Sequence, residues 1–327
     1  MALTALTVDD PPKPWTGRFD GDGAEHCRWW QAVAPYAPSA PAAAAAARSR
    51  TKRPAVFLGF ASDAGVRRNQ GRAGAAAAPA AIRAALGPLA FHMDRAVSDA
   101  GDVTVVGGAL ESGQARAGLA VTGMLDAGNL TVLLGGGHET AFASYLGVAG
   151  SAAVRGGKRL GVLNLDAHFD LRDEPMPSSG TPFLQMARAE ASAGRELKYA
   201  VVGISEPNNT RALFNTADEL GARYMLDEDC TAEAAREFVQ KFLADIDVLY
   251  LTIDLDVLPA SVAPGVSAPA AYGVPLSVVS AVCRQVAASG KLMHLDVAEL
   301  NPEFDIDNRT AKVAARLVNT LLQHSAG

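Results

Sequence analysis

Short apolar runs that alternate with helical segments constrain the fold of this 327-residue chain more than any other feature. Eight such runs occur from residue 55 onward: 55–60, 103–108, 131–136, 161–166, 199–204, 223–227, 248–256 and 291–297. Continuous apolar runs are typical of strands that are buried on both faces, with helices packed above and below. The pattern therefore predicts an α/β fold, a single doubly wound domain with a mostly parallel sheet of about eight strands.

Three segments between these runs have helical signals. Residues 231–246 begin with Thr231, a favourable N-cap, and residues 181–194 place Pro182 at the first helical position. Apolar residues of 113–128 lie at mixed spacing, largely on one broad face of the predicted helix: Leu119, Val121, Met124 and Leu125. A similar face is predicted for 231–246: Phe238, Val239, Phe242 and Leu243.

Residues 1–53 differ in composition from the rest of the chain. The stretch RWWQAV at 28–33 predicts a short helix that docks by its tryptophans, and 34–54 is rich in Ala, Pro and basic residues. We therefore divide the chain into an N-terminal arm with an Ala/Pro-rich linker, residues 1–53, and a main domain, residues 54–327.

Charge and cysteine content exclude several classes of partner. The net charge is -6 and there is no long basic run, so neither nucleic acid nor a membrane surface is expected as a partner. The three cysteines are isolated and form no CxxC pair, which indicates a reducing cytoplasm. The start resembles no signal peptide, and no apolar stretch of ~18 residues predicts a membrane span.

Polar residues follow several predicted strands, where ligands bind in doubly wound folds. The run at 161–166 leads into DAHFD, in which Asp166, His168 and Asp170 alternate and would share one side of an extended chain. The run at 248–256 ends in DLD with Asp254 and Asp256, and GGGHE carries His138.

Each motif alone has an ordinary structural interpretation. Aspartates cap loops at strand ends, and a single buried histidine is usually a core residue. A phosphate cradle does not fit GGGHET, which lacks both the P-loop and the GxGxxG spacing. Together, however, the motifs supply four aspartates and two histidines. The four carboxylates balance the charge of two divalent cations. This oxygen-rich set favours two Mn²⁺ ions over structural zinc, and two such ions activate water for hydrolysis.

The combination of GGGHE, DAHFD and TIDLD resembles the ureohydrolase family of arginases, agmatinases and formimidoylglutamases. Further stretches are similar to the formimidoylglutamase branch: SDAGVRRNQGRAGA at 62–75, SSGTPF at 178–183, APGVSAPAAYG at 263–273 and DVAELNP at 296–302. The resemblance implies an arginase-like, three-layer α/β/α fold that is commonly homo-oligomeric.

The resemblance also assigns roles to single residues. It implies one metal held by His138, Asp166, Asp170 and Asp254. It implies a second metal held by Asp166, His168, Asp254 and Asp256, with Asp166 and Asp254 bridging. Glu299 matches the carboxylate that contacts the substrate nitrogens, and Asp170 is our candidate for stabilising the attacking hydroxide and passing on its proton. Asp296 stays open between a supporting and a purely structural role.

The implied reaction is hydrolysis of N-formimino-L-glutamate to L-glutamate and formamide, by attack of a metal-bridging hydroxide on the formimino carbon. Because this substrate carries carboxylates, basic and polar residues are expected at the mouth of the site. The residues predicted to bind substrate are Arg172, Arg67, Arg72, Ser179 and Gly180.

Other functions remain open at this stage. Arginases carry a histidine shortly after a Ser-Gly pair, whereas this chain continues from Ser179-Gly180 into Thr181-Pro182-Phe183. That departure argues against arginase but not against another guanidino hydrolase, such as an agmatinase or guanidino-acid hydrolase. A metal-dependent deacetylase usually needs fewer aspartates, and a non-catalytic metal-binding homologue would tend to lose a ligand.

Overall fold

The computed structural model of the chain describes residues 8–38 and 52–326. Within these residues nine parallel strands form one sheet in the order β1-β3-β2-β4-β9-β8-β5-β6-β7. In chain order the strands are β1 Val33–Pro35, β2 Ala55–Ala61, β3 Val97–Thr104, β4 Leu130–Leu134, β5 Leu160–Leu165, β6 Lys198–Ile204, β7 Arg223–Leu226, β8 Val248–Asp254 and β9 Leu292–Ala298.

All eight predicted apolar runs contribute to strands, and the ninth strand is the short β1 at one edge of the sheet. Three residues are too few to show a periodic pattern in the sequence, and β1 ends in Pro35. Proline is tolerated at an edge, where no second neighbour needs its missing N–H. The predicted sheet is therefore confirmed, with one strand added from the N-terminal segment.

The prediction for β3 is displaced along the chain: the strand covers 97–104 rather than 103–108. The first part of the strand contains the polar residues Asp99 and Asp102, so it does not form a continuous apolar run. Both carboxylates pair with the guanidinium of Arg83, at 2.8 and 2.6 Å, so their charges are neutralised beside the sheet. The apolar Val106 beyond the strand is 76% exposed in a turn.

Helices cover both faces of the sheet in three layers. The α-helices of the described residues are Trp29–Ala32, Ala64–Arg68, Ala78–Leu86, Leu110–Asp126, Thr140–Ala149, Ala152–Arg155, Pro182–Ser192, Arg211–Glu219, Ala232–Ala244, Leu276–Ala288 and Arg309–His324. Alternate residues of β2 point to opposite layers: Phe57 joins one apolar cluster and Leu58 joins the other. None of these helices is long and apolar enough to cross a membrane.

Two of the predicted helix starts are confirmed. The Thr231 side chain accepts a hydrogen bond from Ala234 N, and Pro182 is the first residue of its helix. The predicted face of 113–128 is wrong at Leu119, which is 75% exposed, although Val121 and Met124 of the same helix are buried. Leu119 lies two positions from Val121, about 200° around the helix, so it points away from the sheet.

Much of the N-terminal segment packs onto the main domain. Trp29 starts the predicted short helix and is fully buried, and its Nε1 donates to Asn319 Oδ1 at 2.9 Å. Its ring packs edge-on against Phe57 at 5.8 Å between centroids. The Trp15 Nε1 donates to Asp99 at 2.7 Å. Docking by tryptophan is thus confirmed, while most of the Ala/Pro-rich stretch, residues 39–51, lies outside the described residues.

Candidate metal centre and substrate cleft

Four neighbouring strands bring the predicted functional residues to one edge of the sheet. β4, β9, β8 and β5 lie side by side, and all are parallel, so their carboxyl ends meet. Asp166 directly follows β5, Asp254 ends β8, Glu299 directly follows β9, and His138 lies four residues beyond β4. This is the edge at which doubly wound sheets bind their ligands.

Six side chains converge there, and we call them the strand-end cluster: His138, Asp166, His168, Asp170, Asp254 and Asp256. One ligand atom from each of His138, Asp166, Asp170 and Asp254 lies within 4.8 Å of the others. The same holds for Asp166, His168 and Asp256. The two groups share Asp166, the predicted bridging ligand. Asp254 is grouped with the first set, so its bridging role stays a prediction.

The imidazole rings lie directly against the carboxylates. Nδ1 of His138 is 2.8 Å from Asp170, 3.1 Å from Asp166 and 3.2 Å from Asp254. Nδ1 of His168 is 3.0 Å from Asp256. Within the described residues no lysine or arginine pairs with these carboxylates. The cluster therefore concentrates negative charge that, among the described residues, only its own two histidines offset.

The DAHFD ligands converge through a turn, not through the alternation of an extended strand. That part of the prediction is wrong because β5 ends at Leu165. Asp166 Oδ1 accepts a hydrogen bond from the backbone N–H of His168 at 2.6 Å, and Asp170 adopts a φ of 49°. A positive φ is unfavourable for a non-glycine residue and is found mainly where the surrounding structure holds it in place.

Close backbone packing brings His138 and Glu299 together. A Cβ on Gly136 would lie 1.7 Å from the carbonyl oxygen of Ser62, so only glycine fits there. The Gly136 carbonyl accepts from the Glu299 N–H at 2.8 Å, and Glu299 Oε1 accepts from the His138 N–H at 2.7 Å. The glycine at position 136 thus lets the backbone pack closely enough to hold His138 beside Glu299.

The electrostatics of the cluster fit a pair of divalent cations. Burial and the charge of Asp166 raise the pKa of Asp170 to about 6, and burial and Asp256 raise the pKa of Asp254. Burial also raises the pKa of Glu299, to about 8, with Glu139 adding to the effect. Crowded carboxylates of this kind gain most from positive charge placed between them. The donors, carboxylate oxygens and imidazole nitrogens, are also those that Mn²⁺ accepts.

The cluster forms the floor of a cleft of about 350 Å³. Loop residues surround its mouth, and we call this set the loop rim: Asn69, Arg72, Arg172, Ser179 and Ser267. The exposed Arg172 makes no ion pair or side-chain hydrogen bond within the described residues. Its side chain lies over Gly180, where a Cβ would be 2.8 Å from Arg172 Cδ. The structure thus brings Arg172, Ser179 and Gly180 to one place.

The other two predicted arginines are placed differently. Arg72 lines the cleft, but its Nε donates to the Ser267 carbonyl at 2.9 Å and its guanidinium lies over the Phe304 ring. It therefore ties two loops together. Arg67 does not reach the cleft, because its exposed guanidinium pairs with Asp63 at 2.9 Å. The position of Arg67 outside the cleft does not support the predicted contact with substrate.

Two residues of the site were missed in the sequence. Asn69 lies in the early loop at 62–75, and its Nδ2 donates to Ser179 Oγ at 3.1 Å. Glu139 is fully buried and accepts from Ser62 Oγ at 2.7 Å and Gly65 N at 2.8 Å, which anchors that loop to the floor of the site. The adjacency of Glu139 to His138 was the available signal, whereas Asn69 had none beyond the loop itself.

Comparison with known proteins agrees with this geometry. The arginase family model matches residues 53–323, and the chain therefore belongs to the arginase family, whose fold is that of binuclear metal hydrolases. The formimidoylglutamase of Nocardia farcinica is 58% identical over 312 residues, covering 95% of this chain and 96% of that protein. That of Rhodococcus opacus is 53% identical, covering 95% of each chain.

Solved structures share the fold. A formiminoglutamase from Trypanosoma cruzi with Mn²⁺ superposes with a TM-score of 0.75 at 25% identity, covering 84% of this chain and 95% of that one. The formimidoylglutamase from Bacillus subtilis gives a TM-score of 0.74 at 20% identity, covering 84% and 88%. The second match shows likeness of fold alone.

Proposed function

We propose that this chain is a formimidoylglutamase, which hydrolyses N-formimino-L-glutamate to L-glutamate and formamide with two Mn²⁺ ions. The observation that carries the proposal is that one cleft combines a carboxylate-rich strand-end cluster with Arg172 on the loop rim, which has no ion-pair partner among the described residues. The strand-end cluster matches the metal-dependent hydrolysis of the family. Arg172 matches a substrate that ends in carboxylates. The relatives that are 58% and 53% identical support this substrate class.

Six side chains would hold the metals. His138, Asp166, Asp170 and Asp254 would bind one ion, and the remaining ligands, His168 and Asp256, would bind the other together with Asp166 and Asp254. When bound, the ions lower the pKa of a water molecule and offset the negative charge that develops on attack. Manganese is supported by the oxygen-rich donor set and by its presence in the Trypanosoma cruzi structure.

Glu299 is positioned to orient the formimino group. Its carboxylate lines the cleft, and one of its oxygens is held by the His138 backbone N–H at 2.7 Å. A formimino group is an amidine, which carries positive charge at neutral pH, and that positive charge favours the ionised form of Glu299 as its partner. We assign Glu299 to this contact, which would present the formimino carbon to the floor of the site.

Asp170 is positioned to handle a proton. Its carboxylate lines the cleft, and Oδ2 lies 2.8 Å from His138 Nδ1. A carboxylate at the boundary between the cluster and the open cleft can accept a proton from the attacking water and deliver it to the departing glutamate amine. This role stands beside its role as a ligand of the first metal.

The loop rim is suited to the carboxylates of the substrate. The Arg172 guanidinium, which has no side-chain partner among the described residues, can bind a carboxylate with two parallel hydrogen bonds. Asn69 and Ser179 lie beside it and are already hydrogen-bonded to each other at 3.1 Å. Two carboxylates distinguish formiminoglutamate from agmatine, which has none, so this rim is where specificity would reside.

The chain departs from arginase at Phe183, which is fully buried behind His138 and does not line the cleft. This residue falls in the stretch where arginases carry a histidine, and its ring packs edge-on against His138 at 5.4 Å. The same ring stacks on Tyr199 at 4.5 Å between centroids. A phenyl ring neither accepts nor donates a proton, which leaves proton transfer to Asp170.

A product assay on Mn²⁺-loaded protein tests the proposal. N-formimino-L-glutamate is compared with arginine, agmatine and 4-guanidinobutyrate while glutamate, formamide and urea are quantified. We expect glutamate and formamide from the first substrate alone. Urea from a guanidino substrate would contradict the proposed substrate and indicate another branch of the family. The absence of product from every substrate would favour a non-catalytic homologue.

The surroundings of the enzyme are part of the proposal. Its substrate would place it in histidine degradation, and the three isolated cysteines favour the cytoplasm. Its partners would be small amidines and further copies of the chain, as a homo-oligomer. Light scattering of the Mn²⁺-loaded protein measures that assembly directly.

A further inference from the structure

The buried carboxylate of Asp296 lies beneath the strand-end cluster without belonging to it. It is in β9, is completely buried, and accepts hydrogen bonds from three hydroxyl groups. Thr252 donates to Oδ1 at 2.6 Å, and Ser144 and Tyr250 donate to Oδ2. No lysine or arginine pairs with Asp296 in the part of the chain that the structure describes.

The network continues from Thr252 to His138. Thr252 Oγ1 lies 3.0 Å from His138 Nε2, and 2.6 Å from Asp296 Oδ1. A hydroxyl group has a single proton, and a carboxylate accepts but does not donate. Because the Thr252 proton is committed to Asp296, Thr252 Oγ1 can only accept from His138, so Nε2 carries the ring hydrogen.

The direction of these bonds determines what the other side of the ring presents. A neutral imidazole with hydrogen on Nε2 has its lone pair on Nδ1. That atom faces Asp166, Asp170 and Asp254 at 2.8 to 3.2 Å. A lone pair surrounded by three carboxylates is the arrangement that a cation completes.

We propose that Asp296 is a positioning residue, which acts through Thr252 to hold His138 with hydrogen on Nε2 and its Nδ1 lone pair toward the strand-end cluster. The inference rests on the metal site of the proposed function and deepens it. Groups that lie behind metal ligands commonly fix the tautomer and orientation of a histidine in this way. Here the effect passes through one hydroxyl group.

A second threonine–histidine pair in the same sheet shows what Asp296 adds. Thr131 Oγ1 lies 2.6 Å from Nδ1 of the buried His294, and His294 Nε2 has no hydrogen-bond partner within the described residues. Among the residues that the structure describes, no carboxylate is bonded to Thr131, and neither Thr131 nor His294 is part of the cluster. Thr131→Val is therefore a matched control for changes at Thr252.

The most selective test is Asp296→Asn, a change that keeps the shape of the side chain. An Asn amide that donates to Thr252 Oγ1 releases the threonine proton toward His138 Nε2, which moves the ring hydrogen to Nδ1. We expect the apparent Mn²⁺ dissociation constant, measured by equilibrium dialysis, to rise about 10- to 100-fold. In ¹⁵N-histidine-labelled, Zn²⁺-loaded protein, the His138 nitrogen signals should show loss of the Nε2–H form.

Threonine variants cover the case in which Asp296→Asn fails to fold. Thr252→Val should weaken Mn²⁺ binding by a similar factor, Thr252→Ser should restore it to within about threefold, and Thr131→Val should leave it unchanged. Unchanged Mn²⁺ affinity and an unchanged Nε2–H signal in Asp296→Asn or Thr252→Val would overturn the inference. Neither readout uses substrate, so a different substrate in the product assay would leave this result standing.

Discussion

The floor and the mouth of the cleft are built in opposite ways. The strand-end cluster lies at or just beyond the ends of buried strands, and its side chains are held by one another and by backbone N–H groups. The loop rim is supplied by loops, and its principal cation, Arg172, is exposed and unpaired within the described residues. The side chains of the floor are thus held in place before any ligand binds. On the rim, the Arg172 guanidinium has no partner among the described residues and can bind a ligand.

This difference separates two tasks. Chemistry that uses metals depends on ligands held in one geometry, which strand ends provide. Choice among amidines depends on what binds the distal part of the substrate, and loops can vary without disturbing the floor. Changes on the floor should therefore alter kcat and metal content together, while changes on the rim should alter KM and leave the metals in place.

The largest effect is expected from Asp254→Asn on the floor. Loss of this charge should release metal and cost about 4 kcal/mol of transition-state stabilisation, about a thousandfold in kcat/KM. Metal analysis and steady-state kinetics measure both. Asp247→Asn is the matched control, since Asp247 lies next to the start of β8 and pairs with Arg159 at the surface. Full activity with both metals present in Asp254→Asn would remove Asp254 from the centre.

Arg172→Ala on the rim should act on substrate binding. Loss of a charged hydrogen-bonding partner costs about 1.5–3 kcal/mol, which corresponds to a rise in KM of about 10- to 100-fold. Two bound Mn²⁺ ions and a nearly unchanged kcat are expected. Arg67→Ala, which removes an arginine outside the cleft, should have no effect on KM. Equal effects of the two substitutions would exclude Arg172 from the binding site.

Gly180→Ala should have a smaller effect of the same kind. The added Cβ would lie 2.8 Å from Arg172 Cδ and 3.2 Å from Asn69 Nδ2, so both side chains must move. Displacing rather than removing the guanidinium should cost about 1 kcal/mol, or about fivefold in KM. If KM stayed at the wild-type value while Arg172→Ala raised it, the position of Arg172 over Gly180 would not matter for binding.

The smallest effect is expected from pH on metal binding. Burial and Asp166 raise the pKa of Asp170 to about 6, so below pH 6 a proton competes with the metal for this carboxylate. Affinity should therefore be highest above pH 6 and should fall as the pH drops. Between pH 7.5 and 5.5 this group alone weakens Mn²⁺ binding about fourfold, which titrations at the two pH values measure. Constant affinity across this range would show that Asp170 is not a ligand.

The contrast between floor and rim also explains what could be predicted from the sequence. His138, the DAHFD ligands and the DLD ligands stand next to apolar strands, so strand order alone brings them together. Their exact geometry was not predictable, because the turn at Asp166 and the positive φ of Asp170 depend on contacts made after folding.

The roles of the loop arginines near the rim were harder to predict from the sequence. Arg67 and Arg72 are both basic residues of one loop, and nothing in the sequence shows that Asp63 binds the first and that the Ser267 carbonyl binds the second. The start of β3 was equally hard to predict, because its Asp99 is compatible with a buried strand only through its ion pair with Arg83. In each case a partner distant in sequence determines the role of a charged side chain.

One measurement tests floor and rim together: a crystal structure of Mn²⁺-loaded protein with L-glutamate, the proposed product, recorded at the manganese absorption edge. We expect two anomalous peaks among the six side chains of the strand-end cluster and a glutamate carboxylate bound to Arg172. A single peak, or glutamate bound away from Arg172, would contradict the division of the cleft into a metal-binding floor and a carboxylate-binding rim.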